Sequence, residues 1–204
     1  MQTDSRVMLA RGTRLALLFT LFCSTLCNFS IADVGEQNLD DELRAFLQEN
    51  IAEQSAIQDQ YDAQVWTFNM QQRMAPYGIT EKEQIAILSA VHREASGTGI
   101  APDIVLAVIA IESSFNRFAV STTGAQGLMQ VMPFWKNEIG RNDDNLMDID
   151  TNVHYGCKIL QFYLEREKGH LARALARYNG SLGRTTYSEK VLLAWENSWR
   201  SGRM

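Results

Sequence analysis

One segment limits what this chain can fold into more than any other. Ile104-Val105-Leu106-Ala107-Val108-Ile109-Ala110-Ile111 shows no polar face at helical spacing, and Pro102 and Asp103 stand just before it. Proline is tolerated in a first helical turn, where its missing N–H has no partner to lose. An aspartate there meets the positive end of the helix dipole. The segment is therefore expected to be a helix, and a helix apolar on every side must be wrapped by other elements. The domain has to be built around it, with Glu112 immediately at its exit.

The rest of the chain supplies the wrapping. Residues 36 to about 75 are rich in Gln, Glu, Ala and Leu. Leu39, Leu43, Phe46, Leu47, Ile51, Tyr61, Val65, Trp66 and Phe68 recur there at helical period. The pattern predicts one or two amphipathic helices, acting as a packing extension that leads into the domain. Pro76-Tyr77-Gly78 marks a turn. Thr80 followed by Glu83 is a capping box for a helix carrying Ile85, Leu88 and Val91 on one face. Further helices are expected to open at Pro133, to run from Val153 to Glu167 and from Leu171 to Tyr178, and to close the chain from about Tyr187 to Trp199. No stretch alternates at period two, so the expected fold is all-α or mostly α.

The N-terminus differs in kind. Arg6, Arg11 and Arg14 precede the short apolar run Leu15 to Phe22, and small residues at Ser30 and Ala32 fit a cleavage site before Asp33. The run falls short of the roughly 20 residues that a membrane-spanning helix needs. Residues 1–32 are thus expected to be an export signal, 33–78 a helical extension and 79–204 the main domain. The location expected is the periplasm or cell envelope. Removal of the signal takes Cys23 and Cys27 with it and leaves Cys157, which has no partner for an internal disulfide and is expected to pack as a small apolar residue. With 46% hydrophobic and 21% charged residues the chain is globular, and a net charge of -5 with no basic stripe excludes a nucleic-acid partner.

Chemistry concentrates at Glu112. A carboxyl at the C-terminal end of an apolar helix meets partial desolvation and the negative end of the dipole. Both disfavour its charge and raise its pKa, as a general acid near neutral pH requires. Glu112-Ser113-Ser114-Phe115-Asn116 is followed by Ser121, then by Gly124-Ala125-Gln126-Gly127-Leu128-Met129-Gln130-Val131-Met132-Pro133, and later by Ala176-Arg177-Tyr178-Asn179-Gly180. Gly124 and Gly127 permit backbone conformations that side chains forbid. Gln130 can both donate and accept hydrogen bonds. Of Met129 and Met132, one is expected to fill the core and the other to line a cleft.

These three blocks, in this order and at this spacing, resemble the catalytic domain of the soluble lytic murein transglycosylases, which is goose-type lysozyme-like. The likeness runs over roughly residues 85 to 195. It implies a peptidoglycan-cleaving enzyme with Glu112 as its acid and base, and with Ser121, Gln130, Met132, Tyr178 and Asn179 contacting substrate or placing the acid. Tyr187 either joins them or is a satisfied core residue. Ser181-Leu182-Gly183 departs from the family's commoner continuation, so the wall near Tyr178 is a variant.

Glycosidases commonly pair two carboxyl groups, yet no second one falls within the blocks. Asp143, Asp144, Asp148 and Asp150 read as loop and cap residues, and His92, His154 and His170 are too scattered for a metal site. A lone Glu suits a reaction that carries its own nucleophile. The resemblance implies such a route between N-acetylmuramic acid and N-acetylglucosamine, ending in a 1,6-anhydromuramyl product, with no metal or cofactor. It also implies glycan strands as the partner, in general wall turnover or at a secretion or pilus assembly. Two alternatives stay open at this point: a muramidase that uses water, and a catalytically silent glycan-binding module.

Overall fold

The computed structural model describes residues 41–202; the proposed export signal and the first residues of the extension lie outside that range. In chain order the α-helices are α1 (Asp41–Met74), α2 (Glu81–Ser96), α3 (Pro102–Ser113), α4 (Lys136–Ile139), α5 (Ile149–Arg166), α6 (Leu171–Tyr178) and α7 (Thr186–Ala194). Short 3-10 turns at Ala75–Tyr77 and Pro133–Trp135 and a π-turn at Trp195–Trp199 complete the set. Among the described residues there is no strand, only isolated bridges joining Val120 to Gln126 and Gln126 to Val131. The all-α expectation stands. No described helix is long and apolar enough to cross a membrane.

The chain divides at Glu53 and Gln54 into two units. Of the first, the described part is the opening of α1, where Leu43, Phe46, Leu47 and Ile51 are exposed. In the second, the last turns of α1 enter the core through Met70 and Met74.

The central helix forms as its sequence requires. Pro102 occupies the first turn of α3, and Ile104 to Ile109 are all 3% exposed or less. The helix packs against α2, α7 and the π-turn, while α5 lies against α2 and α6. Asp103 does more than complement a dipole. It is buried, and it accepts hydrogen bonds from Trp66 Nε1 at 2.7 Å and from the N–H and hydroxyl of Ser201, both at 2.6 Å. One carboxylate thereby ties α1, α3 and the end of the chain together.

Caps account for several boundaries. Thr80 Oγ1 accepts from the Glu83 N–H at 3.3 Å and starts α2. Asp148 Oδ1 accepts from the Thr151 N–H at 3.0 Å, so α5 begins at Ile149, ahead of the position expected from apolar spacing alone. The helix expected at Pro133 is only a 3-10 turn running into the single-turn α4. Cys157 is fully buried in α5, and burial pushes its thiol up to about 12, which leaves it inert.

Candidate active site

The site begins where α3 stops. Ser114 and Phe115 follow Glu112 and Ser113 with φ of 49° and 63°, two consecutive non-glycine residues in the left-handed region. Each costs on the order of 1–3 kcal/mol unless its surroundings hold it there. They do. Phe115 is completely buried, with ring centroids 4.6 Å from Tyr77 and 5.2 Å from Trp199. Ser113 Oγ, beside the acid, donates to the Leu128 carbonyl at 2.8 Å. The abrupt end leaves Glu112 half-buried at the rim of the core.

The segment 119–132 is clamped to α5. Asn152, 1% exposed, accepts from the Met129 N–H at 2.7 Å and donates to the carbonyls of Gln126 and Leu146, each at 2.8 Å. Gly127 has no room for a side chain here: with φ +75°, a Cβ would fall 2.3 Å from both Asn152 Nδ2 and the Leu146 oxygen. A Cβ on Gly156 would likewise strike Met129 Sδ at 2.3 Å. Met129 is the core-filling methionine, and Met132 is half-buried but is not among the residues lining the cleft around Glu112.

The polar side chains of this segment bond chiefly to the segment itself. Gln130, with φ 50°, donates its amide to the carbonyls of Gly127 at 2.9 Å and Ala119 at 3.2 Å. Ser121 Oγ accepts from the Ala125 N–H at 2.9 Å and bonds Thr123 Oγ1 at the same distance. Tyr178, at the end of α6, donates to the Met129 carbonyl at 2.7 Å. It does not hold the acid.

Tyr187 does. Its hydroxyl donates to Glu112 Oε1 at 2.5 Å, from a buried position in the first turn of α7. Burial pushes the Glu112 carboxyl above its ordinary value, and the bond from Tyr187 partly opposes that rise. Burial, then the charge of Glu112, push the Tyr187 phenol far above its ordinary range, so it stays protonated and serves as a permanent donor. The pair opens onto a cleft of about 460 Å³, lined further by Ile111, Asn179, Ser181, Arg184, Thr186 and Lys190.

Of the residues singled out from sequence, Glu112 and Asn179 therefore meet in one cleft, and Tyr187 joins them. Ser121, Gln130 and Met132 lie in the clamped segment, and Tyr178 ties that segment to α6. Asn152, Arg184 and Lys190 were not foreseen. A buried Asn one residue before Val153, early in an otherwise amphipathic helix, was the available signal for the first. The cations carried none, because nothing in their local sequence separates them from solvated surface charges.

Part of the chain is similar to known proteins. A transglycosylase of Enterobacteria phage PRD1 is 34% identical over 90 residues, covering 44% of this chain and 33% of its own length. The membrane-bound lytic murein transglycosylase C of Yersinia pestis (strain Pestoides F) is 30% identical over 129 residues, covering 54% and 36%. This chain thus spans about a third of those relatives. Among solved structures, an inactive mutant of the lytic transglycosylase Slt from Pseudomonas aeruginosa is 28% identical with a TM-score of 0.43, over 48% of this chain and 17% of that one. The 70 kDa soluble lytic transglycosylase from Escherichia coli is 26% identical with a TM-score of 0.44, over 55% and 21%. The Transglycosylase SLT domain pattern matches residues 89–191, half of the chain, running from within α2 to within α7 and including every residue that lines the cleft, and the chain belongs to that family.

Proposed function

We propose that this protein is a peptidoglycan lytic transglycosylase acting through Glu112. The observation that carries the reading is the half-buried Glu112 carboxyl, raised in pKa and held by the Tyr187 hydroxyl at 2.5 Å over an open cleft. A carboxyl whose protonated form is favoured by burial can donate to the glycosidic oxygen between N-acetylmuramic acid and N-acetylglucosamine. As that bond breaks, the muramyl acetamido oxygen supports C1 and Glu112 is left ionised. The carboxylate then takes the proton of the same sugar's 6-hydroxyl, whose oxygen closes on C1 to give the 1,6-anhydro ring. The acid ends protonated, as it began.

In this reading Tyr187 is a positioning residue, whose donated bond fixes one carboxyl oxygen and leaves the other for the substrate. Asn179 contacts sugar from the cleft wall. Tyr178, Ser121 and Gln130 shape the segment beside the acid, and Met132 belongs to the same segment. Residues 1–32 serve export, 33–78 form the extension and 79–204 the catalytic domain. The setting is the cell envelope, either in general turnover or where a secretion or pilus assembly crosses the wall.

Mass spectrometry of peptidoglycan digested by the purified protein tests the proposal. Anhydromuropeptides are expected. Reducing-end products would replace the reading with a water-using muramidase, and absence of products with a glycan-binding module.

A further inference from the structure

Two cations line the cleft with Glu112, and neither is in an ion pair among the described residues. Arg93, Arg141, Arg173, Arg177 and Arg200 each hold a carboxylate, and Arg117 donates to a backbone carbonyl. Arg184 and Lys190 make no ion pair among the described residues, and neither lies within pairing distance of Glu112. Other exposed cations also stand alone, Arg166 and Lys82 among them, but they lie outside the cleft.

The cleft is therefore locally positive on a chain whose net charge is -5. Among the described residues its only lining carboxyl is Glu112, which burial pushes toward the neutral form. Both cations belong to the wall that holds the acid. Lys190 lies three residues beyond Tyr187 on α7, a spacing that puts the two on one helical face. Arg184 sits two residues before α7, and its N–H donates to the Ser181 carbonyl at 2.9 Å. An unpaired guanidinium and an ammonium on one rim form a receptor for carboxylate, since charge-assisted bonds are about twice as strong as neutral ones.

We propose that Arg184 and Lys190 form a carboxylate-binding subsite, which selects glycan strands carrying acidic groups next to the bond that is cut. The proposal rests on the glycan-cleaving reading for the nature of the strand. Two parts of peptidoglycan supply that chemistry. One is the peptide stem, through its own carboxylates. The other is the lactyl group of muramic acid, which bears a free carboxylate only where the stem has been removed.

Binding tests this independently of turnover. Glu112→Gln in the full chain is titrated with three soluble strands of equal length: stem-bearing, stem-stripped, and stripped with the lactyl carboxylates converted to neutral amides. The titration is repeated with Arg184→Gln and Lys190→Gln added. The added pair is expected to raise Kd about tenfold on a carboxylate-bearing strand, and to leave the neutral strand within about twofold. The preference of the Glu112→Gln protein for the charged strand should shrink as salt rises. An effect on the stem-bearing strand alone assigns the stem, and one on the stripped strand alone assigns the lactyl group. Arg184→Lys with Lys190→Arg is expected to restore most of the affinity, which a merely structural role would not predict. Equal Kd values with and without the cations on all three strands, or an equal loss on the neutral strand, overturn the subsite. Failure of the catalytic reading would show separately, as wild-type protein that binds strands but releases no anhydro product.

Discussion

Two stretches of chain meet at the end of α3 and use their polar atoms in opposite ways. Residues 119–132 turn inward: Gln130 and Ser121 bond their own loop, and Asn152 and Tyr178 clamp it from outside. Residues 179–190 turn outward: Asn179, Arg184 and Lys190 line the cleft, and Tyr187 reaches the acid. The stretch richest in motif is thus a scaffold of fixed shape, while the plainer stretch presents most of the groups that can touch a ligand. A long motif marks where a backbone must hold an unusual path, and chemistry need not follow it atom for atom.

The sharpest way to break this contrast is to remove the group both stretches serve. Glu112→Gln is expected to lower turnover on the order of 100- to 10,000-fold while the fold and glycan binding persist. Retention of more than about a tenth of wild-type activity would remove Glu112 from its role. Stability gives a second check. The folded carboxyl titrates above its ordinary value of 4.5, so the native state holds that proton more tightly than the unfolded chain does. Stability is therefore lost as pH rises through the window above 4.5, and a glutamine does not titrate. The melting temperatures of the two proteins should converge in acid and separate toward neutrality, with the variant higher.

The inward stretch should answer to Asn152→Ala. That change strips the partner from the Met129 N–H and the Leu146 carbonyl, at about 1–3 kcal/mol for each group left unsatisfied, while the Gln126 carbonyl keeps its bond from the Val131 N–H. A fall of several degrees in melting temperature, larger than for any substitution in the 179–190 stretch, is expected. An unchanged melting temperature would mean that the clamp is dispensable.

Tyr187→Phe probes the outward stretch, and its effect belongs in the rate. Loss of the bond that orients the acid should cost about 100-fold in turnover. Because that bond favours the carboxylate, its removal raises the Glu112 pKa further and moves the alkaline limb of the pH–rate profile upward. A slow variant with an unshifted limb would separate Tyr187 from the titration of the acid.

Tyr178→Phe should do least. Its hydroxyl supports the Met129 carbonyl, so the cost is about 0.5–1.5 kcal/mol of stability with turnover near normal. Severe loss of turnover at an unchanged melting temperature would return Tyr178 to the reacting atoms and blur the contrast between the two stretches.

By itself the sequence determined the central helix, because eight consecutive apolar residues behind Pro102 leave no other stable place for that segment. It also determined the helix starts at Thr80 and Pro102 and put the Glu112 carboxyl at the exit of that helix, since these depend on neighbours within a few positions. Tertiary structure alone decided which tyrosine holds that acid. Tyr178 and Tyr187 are nine residues apart on different helices, and only the packing of α6 against α7 sends one hydroxyl to Met129 and the other to Glu112. The same holds for Asp103, whose partners Trp66 and Ser201 are remote in sequence. Arg184 and Lys190 become a pair only when the start of α7 is folded against the end of α3. Apolar periodicity and capping are local and can be read along a chain. A hydrogen bond between distant side chains, or a charge without a partner, is a property of three-dimensional neighbours and is set only once the core has placed them.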